Sequence, residues 1–260
     1  MPGARARTFL GGSIAAIACG MLLMIAGCAT SNYHENLGLP PVSVQPLQYY
    51  PFLVKGYQKT FPNKHLLVLT AADARSFADA GTVNHDPYQG HPAIGVVLDR
   101  RGAVAEHLYG PDLAALVTDA IVQAANEAGM SPSTSTQALT DALKAHGADY
   151  VLVAVVTGLW VVKQRGSNGE GGPLWFSAAD VALEVTVYKP PFRVPFWQGP
   201  SAAEYTDPPK PANGASPEDE TEIYDQPGEV LSVALTRAVA GIFRRDDLHT
   251  LVLQDTIPRH

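Results

Sequence analysis

"ADYVLVAVVTGLWVVKQR", residues 148–165, decides the fold. From Tyr150 to Val162 nearly every side chain is β-branched, aromatic or otherwise apolar, which predicts a long strand. Its first half is apolar at successive positions rather than alternate ones. A strand of that kind lies at the centre of a sheet, covered on its faces by other elements.

Working outward, "GSNGEGG" (166–172) reads as a hairpin turn. "LWFSAADVALEVTVYK" (174–189) returns as a strand, with Val181, Leu183, Val185 and Val187 alternating against Ala182, Glu184, Thr186 and Tyr188. "FRVPFWQG" (192–199) suggests a third, short strand, placed at an edge by Pro195. Upstream, His65 to Thr70 and Ala93 to Leu98 are compact apolar runs of strand length, the second ending in a turn at Gly102. Residues 79–92 read as a loop, because Gly, Asn, Asp and Pro cluster there.

Helices are marked by a different period. Pro111 and Asp112 open one; Leu113, Leu116, Val117, Ala120, Ile121, Ala124 and Ala128 form its apolar face, and Gly129 closes it. A shorter helix is expected from Ser135 to His146, started by a Thr134/Gln137 capping box. Another follows Pro227 and Glu229, with Leu231, Ala234, Leu235, Ala238 and Ile242 on one face and Arg244 and Arg245 at its end. "LHTLVL" (248–253) is read as a last edge strand. Residues 199–225, rich in Pro, Ala, Gly and acid, are read as a mobile acidic surface loop, either a spacer or a docking strip. The expectation is one α+β (or α/β) domain over 65–260, a mixed sheet of about five strands packed by about three helices.

The N-terminus determines location. Arg5 and Arg7 precede an uncharged run from Phe9 to Gly27, long enough to overlap a membrane-spanning helix. Its first half is rich in Gly, Ala and Ser, and its apolar peak is confined to Met21–Ile25. No Lys or Arg follows to stop transfer. This is the pattern of a secretory signal, with an uncleaved anchor helix as the alternative. Ile25-Ala26-Gly27-Cys28 resembles the lipobox of bacterial lipoproteins. That resemblance implies cleavage between Gly27 and Cys28, a lipid on the Cys28 thiol, and an N-terminal signal over 1–27. Ala29, where an acid would retain the protein at the inner membrane, implies the outer membrane, facing the periplasm. Several acyl chains would make the anchor permanent. Cys19 leaves with the signal, so a mature chain has no thiol for a disulfide or a metal site.

Residues 28–64 are then the lipidated tether, interrupted by Pro40, Pro41, Pro46, Pro51 and Pro62. Tyr33, Tyr49, Tyr50, Phe52, Tyr57 and Phe61 lie in it. They are read as docking on the folded domain, or as a membrane-interface belt or partner strip.

The whole chain carries a net charge of −7, without a Lys/Arg cluster, which argues against a nucleic-acid partner. No G-x-S-x-G elbow, H-E-x-x-H or phosphate loop occurs, and no cofactor is expected. In "NHDPYQGHP" (84–92), His85, Asp86 and His91 have the donor types that suit zinc. Their spacing matches no standard site, and solvated loop residues are the alternative. Asp73 and Arg75 follow the first strand as a candidate ion pair.

"LLVLTAADAR" and "HGADYVLVAVVTGLWV", with "PFRVPFWQG", together resemble small periplasmic lipoproteins of the YajG type. They also resemble auxiliary lipoproteins of ABC-type lipid and solvent transport systems and the N-terminal part of TolB. The resemblance covers Lys64 to Gly199 and the helix at 230–245. It implies an α/β layout, a D-x-R at Asp73 and Arg75 with no catalytic role, and a non-enzymatic auxiliary subunit with a protein partner in the envelope. Two further expectations stand beside it: a self-assembling ring of the curli-secretion kind, and a hydrolase or metal protein using His85 and His91.

Overall fold

A computed structural model of the chain describes residues 41–54, 60–76, 86–99, 101–144, 147–167, 173–207, 210–211 and 226–256. In chain order the strands are β1 (Val42–Val44), β2 (His65–Leu69), β3 (Ala72–Asp73), β4 (Ala93–Leu98) and β5 (Val104–Tyr109). After helix α1 (Leu113–Glu127) come β6 (Ser131–Ser135), the short helix α2 (Leu139–Ala142), β7 (Tyr150–Ser167), β8 (Pro173–Tyr188), β9 (Pro195–Thr206) and β10 (Lys210–Pro211). Two helices, α3 (Pro227–Arg244) and α4 (Asp246–Asp255), complete the described chain, and a 3-10 turn spans Pro51–Leu53. The fold is α+β, one mixed sheet of ten strands with helices packed on it.

The quoted stretch is the spine of that sheet. β8 pairs antiparallel along one entire edge of β7, from Val151↔Tyr188 to Ser167↔Pro173. The opposite edge is shared by three strands in succession, all parallel to β7. Leu66 of β2 pairs with Tyr150, Ala72 and Asp73 of β3 with Val155 and Val156, and Gly95 to Leu98 of β4 with Val161 to Gln164. β6 extends the sheet beyond β2, β5 and β1 extend it beyond β4, and β9 lies beyond β8. A bulge between Val156 and Gly158 shifts the alternation by one residue. Tyr150, Leu152, Ala154 and Val156 point into the core before it, and Leu159 and Val161 after it.

Helices α1 and α3 cover that inner face. Asp112 caps α1 by accepting from the amides of Ala114 and Ala115 at 2.9 and 3.2 Å, as its sequence position predicts. Gly129, at φ 89°, closes the helix in the left-handed region. The expected face of α3, Leu231, Ala234, Leu235, Ala238 and Ile242, is fully buried. Each large aliphatic side chain so buried contributes about 1.5–3 kcal/mol. At the far end, Tyr150 and Lys189 both donate to the carboxylate of Asp255, which ties α4 to the start of β7 and the end of β8.

Several expectations are corrected. "LHTLVL" is helical, within α4, because Leu248 and Val252 form an i, i+4 apolar pair that buries in the main core beside Phe61, Tyr150 and Phe243, and Asp246 and Asp247 suit a helix start. The predicted 135–146 helix gives way to β6 and the four-residue α2. Thr134 pairs with Val68 in the sheet instead of capping, and the Ser135 hydroxyl accepts from the Gln137 amide. Among the described residues the sheet has ten strands rather than about five: β3 and β10 are two residues long, and β1, β5 and β6 carry weak apolar signals. β9 runs on to Thr206, so the irregular segment does not begin at Gly199. Residues 212–225 of the expected loop lie outside the described residues.

The tether expectation also changes. Residues 45–54 form a strap along α3. The Gln48 amide donates to Ser232 Oγ at 3.0 Å and the Tyr50 amide to Thr236 Oγ1 at 2.9 Å. Both hydroxyls donate in turn to the carbonyls one helical turn back, Gly228 and Ser232. At Gly228 a Cβ would stand 2.5 Å from the Pro46 carbonyl oxygen, so only glycine lets the strap approach. Tyr49, Val54 and Phe61 are buried, and Phe61 meets Phe243 edge-on at 6.0 Å. Docking of the aromatics is therefore observed for Tyr49 and Phe61, while Phe52 is exposed.

Thr236→Val keeps the shape of the helix but leaves the Tyr50 amide without its acceptor. The expected cost is about 1–3 kcal/mol, read by urea denaturation. Thr236→Ser, which restores the hydroxyl, should recover most of it.

Candidate functional site

The three strands on one edge of β7 leave a break between β3 and β4, and a side chain fills it. Arg75 lies two residues beyond the end of β3, and its guanidinium turns back into the gap. Nη1 donates to the Ala93 carbonyl at 2.8 Å and to the Leu159 carbonyl at 3.2 Å. Nε and Nη2 hold the Asp73 carboxylate in a two-pronged pair, both at 2.9 Å. The Arg75 side chain is only 4% exposed. Burial alone would raise the Asp73 carboxyl, but hydrogen bonds and charge from Arg75 outweigh it and hold it below the ordinary range. The D-x-R pair of the sequence is thus a structural joint, binding Asp73 to Arg75 and Arg75 to the carbonyls of two strands.

The opposite face of the sheet is differently built. α2 covers its lower end, where Leu69, Ala142, Leu143 and Val151 form a small second core. Above it, among the described residues, no helix packs on Val155, Trp160 and Val162 of β7 or on Ala178, Asp180, Ala182 and Glu184 of β8. The register lines up one row across three strands: Trp160 opposite Asp180, and Asp180 opposite Glu204. Glu184 stands on the same face, opposite Val155 on one side and Pro200 on the other. Two carboxylates directly opposed across strands repel. Partial desolvation among its neighbours, then the Glu204 charge, push the Asp180 carboxyl above its ordinary value. The face is an apolar floor carrying fixed negative charge.

The row was not visible in the sequence, because its members lie on strands whose register the sequence does not state. The available signal was the period-two pattern of "QGPSAAEYT", which continues the strand past Gly199.

Of the predicted metal donors, His85 lies outside the described residues. Asp86 is exposed, and the His91 ring bonds through Nδ1 to the Gly110 carbonyl at 3.1 Å, with its backbone bridged to Tyr88. The structure thus engages His91 in a loop contact. Among the described residues no group of three or more His, Cys, Asp or Glu side chains is placed to hold a metal. Ile25, Ala26, Gly27 and Cys28 lie outside the described residues. Among the described residues no helix is long and apolar enough to cross a membrane.

No protein-family profile matches the chain, and no curated protein matches it. Solved structures to which it bears a partial likeness include a Xanthomonas campestris protein of the family described as DUF330. That structure is 13% identical, with a TM-score of 0.42, over 83% of this chain and 98% of the other. A putative neuraminyllactose-binding hemagglutinin homolog from Helicobacter pylori is 10% identical, with a TM-score of 0.42, over 80% of this chain and 96% of the other. A lipoprotein from Neisseria meningitidis is 12% identical, with a TM-score of 0.23, over 60% of this chain and 89% of the other.

Two outcomes are expected. Arg75→Ala should cost on the order of 3 kcal/mol, because it strands a partly buried carboxylate and two carbonyls. Arg75→Lys should recover only part, lacking the fork. Asp73 has a lowered folded-state pKa, so the stability it contributes is present above the ordinary 3.8 and is lost as pH falls below it. The deficit of Arg75→Ala, followed by thermal melts, should therefore shrink in acid. Asp180 has the opposite sign: its folded-state pKa is raised, so its charge destabilises the fold at neutral pH. Asp180→Asn should raise Tm by about 1–3 °C at pH 7, an advantage that disappears below 3.8, where both forms are protonated.

Proposed function

We propose that the protein is a lipid-anchored lipoprotein on the periplasmic face of the bacterial outer membrane. It acts there without catalysis, as an auxiliary or scaffold subunit of a transport or envelope-assembly complex. The observation that carries the docking role is the row of Trp160, Asp180 and Glu204 across β7, β8 and β9, on a face that no helix covers among the described residues. Opposed carboxylates cost folding stability, and a partner that supplies positive charge would relieve them. The lipobox at Ile25–Cys28 supports the anchor, and the resemblance to YajG-type and transport auxiliary lipoproteins supports the role.

A second reading has its own observation. The outer edge of β9, twelve residues long, has no strand beyond it among the described residues. An open antiparallel edge is a template for another strand, including that of a second copy. This favours a self-assembled ring.

Mild cross-linking in the native host, then purification and mass identification, separates the two. A permease, ATPase or envelope protein in fixed stoichiometry supports the auxiliary role. A large complex of this chain alone supports the ring. Changing Asp180 and Glu204 together to Lys should abolish a partner that docks on the face while leaving Tm near the wild-type value, because one opposed like-charge pair replaces another. Retention of the partner by that variant excludes the face. Cys28→Ser should remove fatty-acid labelling and shift the protein to the soluble periplasmic fraction.

A further inference from the structure

The strap ends in a turn that holds apolar side chains out of the fold. The 3-10 turn Pro51–Leu53 is fixed from both sides. Behind it the Tyr50 amide is bound to Thr236, and ahead of it Val54 is buried at 1% exposure and donates to the Pro51 carbonyl at 3.1 Å. On this platform Phe52 is 70% exposed and Leu53 37%, with the Tyr50 ring tilted against Phe52 at 5.4 Å. Val44, Phe52 and Leu53 are three of the six large apolar side chains exposed among the described residues, and all three fall within the first described segment.

The charge of the segment is equally uneven. From Asn36 to Asn63 the sequence contains no Asp or Glu, and it contains Lys55 and Lys59, in a chain of net charge −7; the next lysine, Lys64, pairs with Asp149 at 3.5 Å. An acid-free, lysine-bearing stretch with Tyr, Phe and Leu is suited to an anionic lipid surface, with apolar groups at the acyl boundary and ammonium groups among the headgroups. Chain length confines the turn near such a surface. Fourteen peptide steps separate Cys28 from Val42, so a lipid on Cys28 holds the start of β1 within about 50 Å of the bilayer.

We propose that Pro51–Leu53 is a second membrane contact, in which Phe52 and Leu53 enter the headgroup–acyl boundary of the leaflet that holds the Cys28 lipid. This rests on the lipoprotein reading. The lipid supplies the attachment, and the turn fixes the orientation. Once the chain is tethered, the local concentration of lipid is high and a small apolar contact is enough. The orientation so fixed leaves the folded unit one set of surfaces to present to the periplasm.

The test uses the full lipidated protein in vesicles of phosphatidylethanolamine and phosphatidylglycerol. With the Cys28 sulfur alkylated and Cys19 removed, an introduced cysteine is the sole free thiol. An environment-sensitive fluorophore is placed at Phe52→Cys, at Leu53→Cys and, as control, at Phe192→Cys, whose native side chain is 63% exposed in the β8–β9 connection. Labels at 52 and 53 should shift to the blue in vesicles. They should be quenched several-fold more strongly than the label at 192 by lipids spin-labelled near the headgroup. Phe52→Asp, in the Leu53→Cys background, should reduce that quenching to the control level. Equal quenching at 52, 53 and 192, in protein whose N-terminal lipid is confirmed by mass, overturns the membrane contact alone. A mass showing the signal uncut and Cys28 unmodified overturns the lipoprotein reading, and the contact with it.

Discussion

The fold depends on how one edge of β7 is shared. A strand long enough to pair with β8 over its whole length offers an equally long row of backbone groups on its other side. Those groups must be satisfied. Two parallel strand systems divide the row, β2 with β3 at the start and β4 at the end. The break between them would leave the Leu159 and Ala93 carbonyls short of donors. Arg75 supplies them from its guanidinium, and Asp73 keeps that guanidinium in place. The joint lets two halves of the sheet with different partners, β6 and α1 on one side and β5 and β1 on the other, meet on a single strand. A planar, five-donor cation suits the position because it can serve two carbonyls and a carboxylate at once.

The same economy appears on α3. Its buried hydroxyls, Ser232 and Thr236, return their protons to the helix one turn back and turn their lone pairs toward the strap. Small residues at 228, 232 and 236 bring that row of positions close to the incoming backbone. One face of the sheet is thereby sealed by helices that carry a further layer of chain on their outer surface. Among the described residues the opposite face has only α2, and the acidic row sits where no described helix covers it.

What the sequence made legible follows from distance along the chain. α1 and α3 were readable because their apolar period persists for four turns or more, and Asp112 and Pro227 mark where each begins. β7 and β8 were readable because a hairpin pairs neighbours. β6 was not, since "SPSTS" has no apolar pattern and is a strand only because β2 lies beside it. "LHTLVL" is too short for its period to separate strand from helix, and the burial of Leu248 and Val252 in the main core decided it. Asp73 and Arg75 were readable as a pair from their spacing. The carbonyls they serve come from residues 93 and 159, and only the assembled sheet brings those together. Asp180 and Glu204 needed a register between strands. The strap was obscured by its prolines, which exclude regular structure but not packing.

The bond from Gly228 to Gln45 joins residues 183 positions apart, and those of Gln48 and Tyr50 span 184 and 186. In any chain that emerges N-terminus first, from a ribosome or through a translocation channel, the acceptors for the strap are among the last residues to arrive. Until α3 is out and packed, the amides of Gln48 and Tyr50 lack the hydroxyls that hold them, and the segment is left with its contacts to Tyr109 and Glu127. The latch closes last, so its three long-range bonds mark the completion of the fold.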